Sequence, residues 1–304
     1  MPPAPFISFA QNGEDVVLWR ALKEVPAGRY LELGANDPTV DSISRPFYDR
    51  GWTGITVEPV PELAEAHRLL RPRDRQVQVV AGPPGVTSST LHEFPGTGLS
   101  TTVDTLSAAH ERSGLERRDI QVPSMTVDQI LEQEGHQGDL HFVVIDTEGS
   151  EGEVLKGFDL HRWRPWVLVS EATIPNTNEP SHEAWEPGVL ESGYQFCLFD
   201  GLSRFYVADE RAAELKDALS RPASVVDNFV RARDLETARD AEALRQEVVR
   251  WRAAALTRWA DVAAQAYSDR ASLEALRTEV AAIRDSVSWR VTAPLRAVRR
   301  VMPR

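Results

Sequence analysis

Tyr30-Leu31-Glu32-Leu33-Gly34-Ala35-Asn36-Asp37-Pro38 is an apolar strand that runs straight into a turn of small residues flanked by carboxylates. A junction of this kind opens a nucleotide-type site, because glycine lets the backbone come close to a ligand. The next strand, Gly54 to Val57, ends in Glu58-Pro59, which sets an acid 24 residues after Gly34. Neighbouring parallel strands open on one edge, where such an acid can accept both hydroxyls of a ribose. A third junction, Phe142-Val143-Val144-Ile145-Asp146-Thr147-Glu148-Gly149-Ser150-Glu151, leads a buried strand into a helix with several acids at its end.

Further apolar runs at Val77 to Val80, Trp166 to Val169, Tyr194 to Phe199 and Arg204 to Val207 alternate with amphipathic stretches, the pattern of βαβ units around a parallel sheet. Only Asp200 to Ser203 separate the last two runs, too few residues for a parallel crossover, so they predict an antiparallel hairpin. The expected fold is α/β: a Rossmann-like, doubly wound, mainly parallel sheet with an antiparallel C-terminal hairpin, followed by a long α-helical extension.

All 18 glycines lie at or before Gly201, and neither Gly nor Pro occurs between Pro222 and Pro294. This change of punctuation divides the chain into a catalytic domain over residues 1–228, a helical extension over 229–287 and a basic tail over 288–304. Along the extension Leu244, Val248, Trp251, Ala255, Trp259, Val262, Ala266, Leu273, Leu276, Val280, Ile283 and Val287 recur at steps of three and four, with a stutter at Ala255 and Trp259 and a charge, Asp269, in the stripe. Such a stripe either packs on its own domain or joins a second copy as a coiled coil. A net charge of −12 excludes a general nucleic-acid binder. With one cysteine, Cys197, and no long apolar window, the cytoplasm is the expected compartment, with peripheral contact at the inner face of the membrane through the tail.

The Gly34 turn lacks the second and third glycines of a pyrophosphate loop, which argues against a nicotinamide dinucleotide. Acids beside the turn suit a cationic nucleoside instead, so S-adenosylmethionine is the expected cofactor, with Glu32, Gly34, Asp37 and Glu58 as its neighbours. Asp146 or Glu148 can take a proton from a hydroxyl acceptor or hold a divalent cation through hard oxygen ligands, and metal use stays open. Glu151 and Glu153 read as residues favouring a helix start. Glu171 and Asn176, after the fifth strand, are candidates for orienting the acceptor.

The sequence resembles the FkbM family of methyltransferases. The resemblance rests on Phe9-Ala10-Gln11-Asn12-Gly13-Glu14-Asp15, Glu32 to Pro38, Gly51-Trp52 with Glu58-Pro59, Asp146 to Gly157, and Arg164-Pro165-Trp166 through Glu171. It implies O-methylation of a hydroxyl on a sugar, glycan or related metabolite. It also implies that Glu32, Gly34, Asn36 and Glu58 bind the cofactor and that Asp146 stands at the active-site end of the fourth strand. Thr147 and Ser150 stand where Val and Ala are commoner, and Ala81 to Gly85 lacks the acid often found after the third strand. The alternative is a degenerate, non-catalytic scaffold that positions partners through its helical tail.

From Arg284 to Arg304 six arginines face a single acid, Asp285, with Trp289, Val291, Leu295, Val298 and Val301 among them. Guanidiniums interleaved with apolar groups suit an anionic membrane surface, while the segment is too short and too charged to span one. The alternative is a tail that partners nothing or folds against the acidic domain. Co-sedimentation with anionic vesicles at low salt is expected for the full chain and not for a chain ending near Asp285; equal binding of the two would rule the tail out as anchor.

Overall fold

The main sheet has the spatial order Tyr194–Phe199, Ser203–Ala208, Val167–Glu171, Phe142–Ile145, Arg29–Leu33, Thr53–Val57, Arg75–Val77, in a computed structural model that describes residues 4–294 and 296. The last five of these run parallel to one another, and Ser203–Ala208 lies antiparallel between its two neighbours. The hairpin is thus where its short connection puts it. Asp200 tightens the turn, its Oδ1 accepting from the backbone N–H groups of Leu202 at 2.9 Å and Ser203 at 2.8 Å.

Alternation along each strand sends side chains to two cores. Leu31, Leu33, Val143, Ile145 and Leu168 join Val127, Ile130 and Leu131 on one face. Tyr30, Phe142, Val144, Val167 and Val169 join Leu18, Leu22, Phe47 and Trp52 on the other. Strands buried on both faces read as continuous apolar runs, which is why these were visible in the sequence.

Two features differ from the expectation. The run Val77 to Val80 is not one strand: the chain leaves the main sheet after Val77, and Val80–Ala81 pairs instead with Ser124 and Met125. That second pairing belongs to a three-stranded sheet with Ser88–Glu93 and Arg118–Met125, whose polar, Pro123-containing strands carry no clear apolar alternation. The segment Phe229–Arg231, assigned by punctuation to the helical extension, forms a parallel pair with Phe6–Ser8.

A polar cluster lies buried inside the first unit. The Arg71 guanidinium donates through Nε to Asp74 at 2.9 Å, through Nη1 to the Ser42 hydroxyl at 3.0 Å, and through Nη2 to the Tyr30 hydroxyl at 2.9 Å and to Ser44. Ser44 in turn donates its backbone N–H and its hydroxyl to Glu32, whose carboxylate lies 3.7 Å from Arg71.

The first compact unit runs through Leu235 and the second begins at Glu236. The long helix, Ala232–Asp285, ends at Ser286, whose hydroxyl accepts from the Trp289 N–H at 3.2 Å and starts the short helix Val287–Val291. Leu295, Val298, Arg299, Arg300, Val301 and Arg304 of the expected basic tail lie outside the described residues. No helix among the described residues is long and apolar enough to cross a membrane.

Two buried acids open the helix Glu14–Leu22. Burial, helped by the nearby Asp200 carboxylate, pushes Glu14 up to about 8, and burial pushes Asp15 up to about 6. Both hold protons in the folded chain at pH values where the unfolded chain has released them, so their stabilisation is full below their ordinary values and is lost as pH rises through 6 and 8. Thermal melting is therefore expected at lower temperature at about pH 8.5 than at about pH 5. Glu14→Gln, which keeps an acceptor for the Asn12 N–H, flattens that slope; an unchanged slope in the variant would remove Glu14 from it.

Candidate active site

The carboxyl ends of Arg29–Leu33, Thr53–Val57 and Phe142–Ile145 open on a cavity of about 270 Å³. Its turn is built by Gly34, at φ +77°, where a Cβ would stand 1.7 Å from the Asp146 carbonyl oxygen. Glycine is thus required for the approach of the neighbouring strand end, beyond any approach of a ligand. Gly34 and Ala35 both donate backbone N–H groups to the Val57 carbonyl at 3.0 Å, which ties the first two strand ends together.

Glu58 closes this arrangement. Its two oxygens accept from the Asn36 N–H at 2.9 Å and the Val60 N–H at 2.8 Å, and burial pushes its carboxyl up to about 7. Two lone-pair positions per oxygen leave it able to accept from a ligand as well. Asn36, in left-handed conformation at φ +45°, also accepts at its carbonyl from His67 Nε2 at 2.9 Å. Burial and then the Arg71 charge depress His67 to about 4, so the ring is neutral and Nε2 carries the proton that it donates.

The remaining acids divide by environment. Glu32 lines the cavity while its carboxylate binds Ser44. Asp37 does not line the cavity: its Oδ1 accepts from Thr39 and Val40 within its own turn, and although burial acts against it, these bonds hold its carboxyl below the usual range. Asp41, to which the sequence reading gave no role, faces the cavity instead. Glu151 folds back from the first turn of its helix, accepting from the N–H groups of Thr147 at 3.0 Å and Gly149 at 3.1 Å. It holds Glu148 and Gly149, both at positive φ, in their turn. Glu153 pairs with Lys156 on the surface.

Asp146 and Glu148 line the cavity, and Glu171 sits behind Asp146 in hydrogen-bond contact with it. Burial first, and then the neighbouring carboxylates, raise the proton affinity of all three. Two buried carboxyls in contact cannot both ionise cheaply, so Asp146 and Glu171 share a proton near neutrality. Asn176, at φ +60°, reaches the cavity, whereas Glu171 does not. Gln11 also lines it, carried there by the turn that Asp15 fixes with bonds from Ser8, Phe9 and Ala10. Its only sequence signal was its place within the Phe9 to Asp15 stretch.

The loop after Ser88–Glu93 completes the wall. Thr97, Gly98, Leu99, Ser100 and Thr102 line the cavity, and the Thr101 hydroxyl donates to the Glu148 carbonyl at 2.7 Å. Beside them Val60, Leu63, Val80 and Leu91 pack into an apolar patch. Five carboxylates, Glu32, Asp41, Glu58, Asp146 and Glu148, face the cavity, and no lysine, arginine or histidine does among the described residues. No group of three or more His, Cys, Asp or Glu among those residues is arranged to hold a metal ion.

Among solved structures, the chain is similar to a TehB-like SAM-dependent methyltransferase from Corynebacterium glutamicum, with 11% identity over 65% of this chain and 88% of that one and a TM-score of 0.35. It is also similar to an O-methyltransferase from Bacillus cereus in complex with SAH, with 13% identity over 67% of this chain and 82% of that one and a TM-score of 0.33. A third likeness is to magnesium protoporphyrin IX methyltransferase from Synechocystis with bound SAM, with 10% identity, 64% and 77% coverage and a TM-score of 0.35. No curated protein gives a significant match. The methyltransferase FkbM domain matches residues 32–196, more than half of the chain and the whole run from the first cavity acid to the C-terminal hairpin; the chain belongs to the FkbM methyltransferase family.

Proposed function

We propose that the chain transfers a methyl group from S-adenosylmethionine to a hydroxyl of a sugar, glycan or related metabolite. The observation that supports this most is the lining of the cavity, five carboxyl groups and no basic side chain among the described residues, beside an apolar wall. A phosphate-bearing cofactor is repelled there, whereas a sulfonium and an amine are attracted. When bound, S-adenosylmethionine supplies a methyl group on a positively charged sulfur.

Glu58 is the residue to accept from the ribose hydroxyls, and Val60, Leu63, Val80 and Leu91 offer the apolar surface on which a nucleobase rests. Glu32 is spent on Ser44 and Arg71, so it contributes field more than contact. Asp146 and Glu148 are placed to take the proton that an acceptor hydroxyl gives up, and their raised proton affinity makes them stronger bases once ionised. Glu171 acts through Asp146 as a positioning residue. The amides of Gln11 and Asn176, with the Asp41 carboxylate, supply both donors and acceptors, as recognition of a polyhydroxylated acceptor requires.

Glu58→Ala is expected to weaken S-adenosylmethionine binding by about tenfold to a hundredfold in calorimetry. Because two backbone N–H groups lose their acceptor as well, it is also expected to destabilise the fold by about 1 to 3 kcal/mol. Unchanged affinity in the folded variant would take Glu58 out of the site.

Asp146→Asn is expected to retain the cofactor and to lose about a hundredfold to ten-thousandfold of turnover, followed as transfer of a labelled methyl group to candidate glycans. Wild-type turnover at saturating substrates would sink the assignment of Asp146 as base.

A further inference from the structure

The long helix carries nine large apolar residues on one stripe, Leu244, Val248, Trp251, Trp259, Val262, Leu273, Leu276, Val280 and Ile283, each between 44% and 71% exposed. A helix of 54 residues, about 80 Å long, gains little from propensity alone and is ordinarily held by packing of its apolar face. The charges flanking the stripe specify what packs there. In heptad terms the stripe alternates a and d positions. The position after each d holds Arg245, Arg252, Ala263, Arg270, Arg277 and Arg284, while the position before each a includes Asp240, Glu247 and Glu279 and one base, Arg258, whose parallel counterpart is the uncharged Ala263.

We infer that this face is covered by the same helix of a second copy of the chain, in a parallel, in-register, two-stranded coiled coil. Antiparallel pairing sets the first flank against itself and stacks arginine on arginine along the seam. Parallel pairing sets each flank against the other, bringing Asp240 to Arg245, Glu247 to Arg252 and Glu279 to Arg284 of the second copy, with no pair of like charges among these flanking positions. Register follows from the irregularities. The two steps of four through Ala255 and Trp259 interrupt the heptads once, and only an unshifted pairing sets that interruption against itself. The same alignment places Asp269 against Asp269, a polar core position that lowers stability and selects register. Within one helix Asp269 accepts from Gln265 at 2.8 Å, which gives each carboxylate a partner in the seam.

The test uses the full-length chain. Sedimentation at micromolar concentration is expected to give twice the mass of one chain, and Leu276→Arg with Ile283→Arg, both far in sequence from the cavity residues, is expected to give the mass of one. Val280→Cys in a Cys197→Ser background is expected to form a disulfide between two copies under mild oxidation, since parallel in-register pairing alone brings residue 280 against itself. Asp269→Leu is expected to lower the dimer dissociation constant at least tenfold. A single-chain mass for the unaltered protein, a trimer, a dimer that fails to cross-link through position 280, or a weaker dimer for Asp269→Leu would each overturn the inference.

Discussion

Arg71 is a cation buried at the heart of a strongly acidic chain, and the shape of the loop from Ala35 to Ser44 beside the cavity depends on it. Its guanidinium touches Tyr30 on the first strand, Ser42 and Ser44 on the loop after it, and Asp74 ahead of the Arg75–Val77 strand. Asp74 in turn accepts from the Gly54 N–H at 2.9 Å, so three parallel strands and one loop meet at a single charge. Burial opposes that charge, but the Tyr30, Glu32 and Asp74 groups around it hold it firmly protonated. Removing one partner of such a buried set leaves the others uncompensated, at a cost of about 3 to 5 kcal/mol. The loop from Ala35 to Ser44 is consequently held at both ends, by Glu58 and His67 at Asn36 and by Arg71 and Glu32 at Ser44.

The cavity beyond that loop has the opposite character. Where Arg71 balances acids on the far side of Glu32, the cavity wall is left with acids alone, and the electrostatic strain is relieved by protons: Asp146 and Glu171 share one, and Glu148 is held protonated by burial and by its acidic neighbours. A cationic ligand supplies what those protons supply, without needing them. Binding of a cationic ligand here would therefore be coupled to proton release, and its attraction would strengthen as pH rises and the carboxyls ionise.

How much of this was legible depended on whether a residue's role is set by its neighbours in sequence or in space. The central strands of the main sheet were legible, because Leu31, Leu33, Val143 and Ile145 are buried on one face and Tyr30, Phe142 and Val144 on the other. Gly34 and Glu58 were legible because the turn and the strand end are local. Asp37 was misplaced because its sequence neighbours Thr39 and Val40 capture its carboxylate, a short-range competition that a strand-end pattern does not weigh. Gln11, Asp41 and Ser100 reach the cavity from three separate segments, and no spacing within one sequence reports that convergence. The sheet of Val80–Ala81, Ser88–Glu93 and Arg118–Met125 was hidden for a related reason: its strands are partly solvated and draw their order from one another.

The long helix carries the same lesson to its limit. Its period was plain in the sequence, since Leu273, Leu276, Val280 and Ile283 repeat cleanly, yet periodicity states only that a face needs cover and not what covers it. The flanking charges carry the missing information, because a row of arginines beside a row that includes acids is self-complementary in one direction and self-repelling in the other. Parallel pairing has a further consequence for the basic C-terminal segment: Arg284, Arg290 and Arg296 of the two copies come to the same end of the coil. For the proposed dimer, an anionic surface would meet two such segments at once, with the second contact made at the high effective concentration set by the first.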